Sequence, residues 1–153
     1  MPYIVTIHAH YDGDADVIFD QALNFAEMVD AMSDIAVYDG IPDGCAVQGM
    51  TVTADVTFWG VIKNKGHVMH IETLDQPNRI LQSREHGKRM KQWDHLLTVE
   101  PTAGGAVWTD QITLNSGWSS WAMARFCRFM YCHRHRRREA RSLSATIQPL
   151  RIT

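Results

Sequence analysis

The chain has 153 residues, enough for one domain with a single sizeable core. Its 45% hydrophobic and 21% charged content is that of an ordinary soluble globular protein, and a net charge of −2 argues against a general polyanion binder. Three cysteines, Cys45, Cys127 and Cys132, are too few for a disulfide scaffold and form no CxxC pair, so they read as free thiols of a reducing cytoplasm.

In chain order, Met1-Pro2-Tyr3-Ile4-Val5 has neither a basic start nor a long apolar core, so no secretory leader is expected and the location is read as cytoplasmic. Residues 3–10 alternate, with Tyr3, Val5, Ile7 and Ala9 on one face and Thr6, His8 and His10 on the other, which predicts a half-buried strand. Asp14 is placed to cap a helix over residues 15–25, and a short second helix is expected over 27–32. Gly40 to Gly44, with Pro42, reads as a loop. Residues 50–58 have a clean period of two, and further strands are predicted over 66–74 and 80–86, separated by the turn residues Asp75-Gln76-Pro77-Asn78. A last hairpin joins 90–99 to 106–114. Ser116 is a candidate cap for a final helix over 118–138, whose apolar stripe is read as Trp118, Ala122, Phe126, Phe129, Met130 and His133. The remainder, 144–153, reads as an irregular tail behind a single domain of residues 1–143. No stretch approaches the length of a membrane span.

A sheet with one apolar face needs a cover, and the terminal helix is the only long candidate. The expected architecture is α+β: a curved antiparallel sheet wrapped around a long C-terminal helix. Specific residues carry a resemblance as well. The run Leu74-Asp75-Gln76-Pro77-Asn78-Arg79-Ile80, then Trp93-Asp94-His95, then Gly104-Gly105 with Trp108-Thr109-Asp110, then Tyr131-Cys132-His133-Arg134-His135-Arg136, resembles the START-like (SRPBCC) superfamily, and within it the polyketide cyclase/dehydrase and lipid-transport-like group of small bacterial proteins. The resemblance spans nearly the whole chain. It implies a helix-grip fold with a cavity between sheet and helix that accepts an apolar ligand. Members range from ligand carriers to cyclases, so the fold does not fix the function, and no residue role is carried over.

The last hairpin can be registered from its side chains. A turn over residues 102–105 sets Val99 opposite Trp108, Leu97 opposite Asp110 and His95 opposite Ile112. Trp93, His95 and Leu97 then share the core face with Trp108, Asp110 and Ile112, and His95 lies diagonal to Asp110. A carboxylate beside an imidazole fixes its tautomer and raises its basicity, as a general base requires. The same pair equally serves to satisfy two buried polar groups.

Other features have two readings each. Trp59, Trp93, Trp108, Trp118 and Trp121 suit either an aromatic pocket or the core of a sheet-on-helix fold. Arg125 or Arg128 would reach into the cavity to orient a carboxylate or enolate, or else face solvent. His8 and His10, with His67 and His70, have spacings compatible with a metal, but the apolar face of the first strand sends His8 and His10 to solvent. Six of the fifteen basic residues, Arg134, Arg136, Arg137, Arg138, Arg141 and Arg151, lie in the last twenty. The Arg134 to Arg138 block is read as a solvated helix end complementing the macrodipole, with RNA or an anionic membrane as the alternative partner.

The leading expectation is binding of a small hydrophobic or amphipathic molecule by Trp93, His95, Leu97, Trp108, Asp110, Ile112, Ala122, Arg125, Phe126 and Phe129, without metal or organic cofactor. The enzyme alternative is a cyclase or dehydratase using His95 and Asp110. No nucleic acid is expected, and a homodimer is compatible with the sequence.

Overall fold

The computed structural model describes residues 1–88 and 90–143, the last two by backbone alone. The expected tail over 144–153 lies outside the described residues. In order come β1 (Tyr3–Tyr11), α1 (Ala15–Leu23), α2 (Phe25–Met32), β2 (Ala36–Asp39), β3 (Thr51–Phe58), β4 (Ile62–Asp75), β5 (Ile80–Gly87), β6 (Met90–Thr102), β7 (Gly105–Asn115), a 3-10 turn (Gly117–Ser119) and α3 (Ser120–Leu143). The seven strands form one antiparallel sheet in the order β1-β7-β6-β5-β4-β3-β2. The two short helices carry the chain from one edge of the sheet to the other, and α3 packs across the apolar face. This is the helix-grip architecture.

Local chemistry accounts for most boundaries. The Asp14 carboxylate accepts from the N–H groups of Asp16 and Val17 at 2.9 and 3.2 Å, so it caps α1 as expected. The expected helix over 15–25 stops earlier, because Asn24 leaves helical geometry and its side chain caps α2 through the Ala26 N–H at 2.9 Å. On β3, Val52, Ala54, Val56 and Phe58 are buried, as their alternation predicts. Strand β4 begins at Ile62 rather than at Gly66. Gly66, with a φ of 65°, lies in a β-bulge where Lys65 and Gly66 together oppose Asp55, and its N–H donates to the Asp55 carboxylate at 2.7 Å. The four-residue β2 escapes sequence reading, being too short to show a period.

The hairpin β6–β7 has the expected register: Val99 faces Trp108, Leu97 faces Asp110 and His95 faces Ile112. The start of α3 differs from expectation. The Ser116 hydroxyl makes no cap; instead the Ser120 hydroxyl accepts from the Ser116 N–H at 2.9 Å and donates to the Gly117 carbonyl at 2.7 Å, through a 3-10 turn.

The buried face of α3 also differs. Cys127, Met130, Tyr131 and His135 face the sheet, whereas Trp118 is 92% exposed and Phe129 is 43% exposed. The first half of α3 is apolar almost all round, so periodicity there selects no face. The second half decides it, through polar side chains that find buried partners. One core group, including Ile7, Phe58, Trp93, Ile112 and Met130, lies under α3; another, including Phe19, Phe25, Ile71, Val99 and Trp108, lies under α1 and α2.

Candidate functional site

A cavity of about 330 Å³ takes its walls from both core groups. Strand alternation supplies most of it: β6 turns Trp93, His95 and Leu97 inward, β7 turns Trp108 and Asp110 inward, and β5 contributes Leu81, Ser83 and Glu85. Helix α3 closes it with Met123, Phe126, Met130, Tyr131, Arg134 and Arg138.

Asp110 is 1% exposed and accepts hydrogen bonds from three side chains. Oδ1 accepts from His95 Nε2 at 2.7 Å and from Trp108 Nε1 at 3.0 Å; Oδ2 accepts from His135 Nε2 at 2.7 Å. Burial alone would raise its pKa, but the bonds from His135 and His95 hold the carboxyl well below the usual range. His135 is fully buried, which lowers its pKa; the hydrogen bond and charge of Asp110 oppose this, while Arg138 and Arg134 reinforce it. A neutral His135 that donates from Nε2 must accept at Nδ1, so Tyr11 O–H is the donor in their 2.6 Å bond. Burial raises the Tyr11 pKa, keeping that proton in place. A buried relay thus runs from Tyr11 on β1 through His135 on α3 to Asp110 on β7 and His95 on β6. His95, with Nε2 committed to Asp110, keeps Nδ1 for a cavity occupant.

A second buried carboxylate lies further along the wall. Glu85 accepts from Ser83 Oγ and His67 Nε2, both at 2.7 Å. Burial opposes its ionisation, yet the His67 bond and charge hold its pKa below the ordinary value. The Arg134 guanidinium lies over the Tyr131 ring, 4.7 Å from its centroid, and Nη2 donates to Tyr38 Oη at 3.5 Å. Arg138 lies 4.4 Å over the Trp108 ring and donates to Glu27 at 2.7 Å.

Of the residues expected to bind ligand, Trp93, His95, Leu97, Trp108, Asp110 and Phe126 line this cavity. Ile112 does not; it is buried in the core beneath α3. Ala122, Arg125 and Phe129 stand on the outer side of α3, a correction that follows from the rotation of its buried face. Arg128 is also exposed and donates to the Thr6 carbonyl at 3.3 Å. Trp118 and Trp121 are exposed, while Trp59 stands half out at the rim.

The arginine block is not a solvated end. Arg134 and Arg138 line the cavity, Arg137 reaches Asp34 at 3.7 Å, and Arg141 pairs with Asp30. His135, Arg134, Tyr11 and Glu85 were not anticipated as site residues. Signals for two of them existed: His135 lies four residues after Tyr131 and eight after Cys127, on one helical stripe, and Glu85 follows Leu81 and Ser83 on one strand face.

His8 and His10 are exposed as expected; His8 bonds Thr109 at 2.9 Å, and His70 bonds Thr51 at 2.9 Å. Among the described residues, no three histidines, cysteines or carboxylates are grouped to hold a metal ion, and no helix is long and apolar enough to cross a membrane.

The fold is shared with solved structures of low identity. Protein Ms6760 from Mycobacterium smegmatis is 13% identical with a TM-score of 0.74, over 95% of this chain and 93% of that one. Protein CV1439 from Chromobacterium violaceum is 10% identical with a TM-score of 0.71, over 95% and 97%. Ara h 8.0201 is 8% identical with a TM-score of 0.62, over 88% and 96%. At such identities the likeness is one of fold alone. No curated protein matches the sequence. The family described as "Domain of unknown function (DUF8410)" matches residues 38–142, from within β2 to near the end of α3. The chain therefore belongs to the DUF8410 family.

Proposed function

We propose that this protein binds a small hydrophobic or amphipathic molecule in the cavity between sheet and α3, in the manner of a START-like carrier. The observation that carries this reading is the cavity itself. A packed interior of this size normally leaves few voids larger than a water molecule, yet here about 330 Å³ is left open, within the range of small-molecule sites. Its walls are mostly aliphatic and aromatic, with polar groups at a few fixed points: His95 and Asp110, Ser83 and Glu85, and Arg134. Apolar walls supply affinity, and those points orient the occupant. Trp93, His95, Leu97, Trp108, Asp110 and Phe126 are the contact residues in this reading.

Native mass spectrometry of protein purified from its own host tests it, since an adduct of small-molecule mass is expected. Titration with an apolar dye should give saturable quenching of Trp93 and Trp108. Absence of both an adduct and saturable quenching overturns the reading.

One observation favours a second reading, an enzyme of cyclase or dehydratase type. His95 is oriented by Asp110 and keeps Nδ1 for proton abstraction next to a carbonyl. In D2O the native protein should then catalyse isotope exchange into its co-purified molecule, and His95→Gln should abolish the exchange while retaining binding. Absence of exchange in the native protein leaves the carrier.

A further inference from the structure

We propose that the cavity is built for an amphipathic monocarboxylic acid, whose carboxylate is held by Arg134 and whose apolar body fills the space towards Trp93 and Leu97. The proposal rests on the cavity-binding reading and names the class of occupant.

The cavity walls carry three cations, Lys63, Arg134 and Arg138, against two carboxylates, Asp110 and Glu85. Both carboxylates are already committed: Asp110 to three donors, Glu85 to Ser83 and His67. Lys63 is exposed at the rim, and Arg138 is paired with Glu27. That leaves Arg134. Among the described residues no carboxylate stands within ion-pair distance of it. Its one hydrogen bond is the long contact with Tyr38, and Nε is sealed from solvent with no partner. The Asp110 charge acts on Arg134 from beyond contact, but a sealed N–H without a partner is costly.

The placement of the guanidinium suits recognition of a planar anion. Stacking on Tyr131 occupies one face and fixes the plane, while the edge N–H groups remain to be satisfied. Tyr38 Oη, having accepted from Arg134, retains its own O–H to donate to the same oxygen pair. Leu97 and Trp93 lie on the β6 side of the cavity, where an alkyl or aryl body would rest. A guanidinium with N–H groups left to satisfy, beside apolar walls, calls for one anionic head on an otherwise apolar molecule.

The test compares decanoate with its neutral isostere decanamide, by calorimetric titration of the full-length protein. Native protein should bind decanoate at least about tenfold more tightly. Raising the salt concentration should leave most of the preference in place, because a partly buried pair is screened far less than an exposed one. Arg134→Met should erase the preference by weakening decanoate alone, with decanamide binding unchanged within about twofold. Equal binding of the two probes to native protein overturns the proposal while leaving the cavity reading intact. Saturable binding of neither overturns both. The native comparison needs no variant, so poor folding of Arg134→Met would not protect the proposal.

Discussion

Asp110 accepts from side chains on β6, β7 and α3 at a position almost closed to water, and that fixes what its replacement must do. In Asp110→Asn, one oxygen becomes an NH2 group facing an imidazole N–H. A donor then meets a donor, and the charge that balanced the site is lost. Stability should fall by about 3–5 kcal/mol, lowering the Tm by roughly 10 °C; a fall within experimental error would refute the bonding described. His135 adds a pH dependence. Its folded pKa is depressed, so below histidine's ordinary 6.5 the unfolded chain takes up a proton that the folded chain refuses. Its contribution is therefore full above about pH 7 and declines as the pH falls. A second decline should begin nearer pH 4, where Asp110 and Glu85, held ionised in the fold, become protonated in the unfolded chain. Urea midpoints across this range should show both stages, and His135→Gln should remove the upper one. The His95–Asp110 relation was legible in the sequence, because hairpin register follows from alternation. His135 was legible only in part: its spacing puts it on the stripe of Cys127 and Tyr131, but the four arginines around it point to solvent, and only the third dimension shows that this stripe meets a buried carboxylate.

At the scale of elements, α3 separates what a helix contributes by composition from what it contributes by orientation. Met130 faces the core, and Trp118, in the 3-10 turn that leads into the helix, faces water although the apolar stripe read from the sequence included both. Met130→Ala should cost about 2–5 kcal/mol, while Trp118→Ser should change stability by no more than about 0.5 kcal/mol. Chemical denaturation of the two variants checks the orientation, and the reverse order would refute it. The β6–β7 turn offers a similar contrast. A Cβ on Gly105 would lie 2.0 Å from the Tyr11 carbonyl oxygen, whereas one on Gly104 would meet nothing within 4 Å. Gly105→Ala should destabilise by about 1–3 kcal/mol or more, and Gly104→Ala should be near neutral. Long alternating strands such as β3, β6 and β7 were readable because one face is buried along their whole length. β2 and the first residues of β4 were not, since one is too short for a period and the other runs past a bulge.

For the whole molecule, the order strand, helices, strands, helix was enough to foresee a sheet gripping its terminal helix. The cavity was a different matter. Whether facing side chains meet or leave a gap depends on the sum of their volumes and on the distance from helix to sheet, neither of which is written in a hydrophobic pattern. Nor does that pattern show that Arg134 stands inside while Arg125, nine residues earlier, stands outside; the difference is one of rotation about the axis of α3.

The sheet order has a consequence in time. β1 is the first strand to be made, yet among the described residues it pairs with β7 alone, the last. The β3 to β7 meander can assemble hairpin by hairpin as the chain emerges, but β1 must wait as an unpaired apolar ribbon until synthesis is nearly finished. The Tyr11–His135 bond waits longer still. Refolding should accordingly be slow for a chain of this length, in the range of milliseconds to seconds, with protection of the β1 amides in pulsed hydrogen exchange arriving no earlier than that of β7. Protection of β1 ahead of β7 would contradict this order. The interval during which β1 is open is when the nascent protein is most exposed to pairing with another chain.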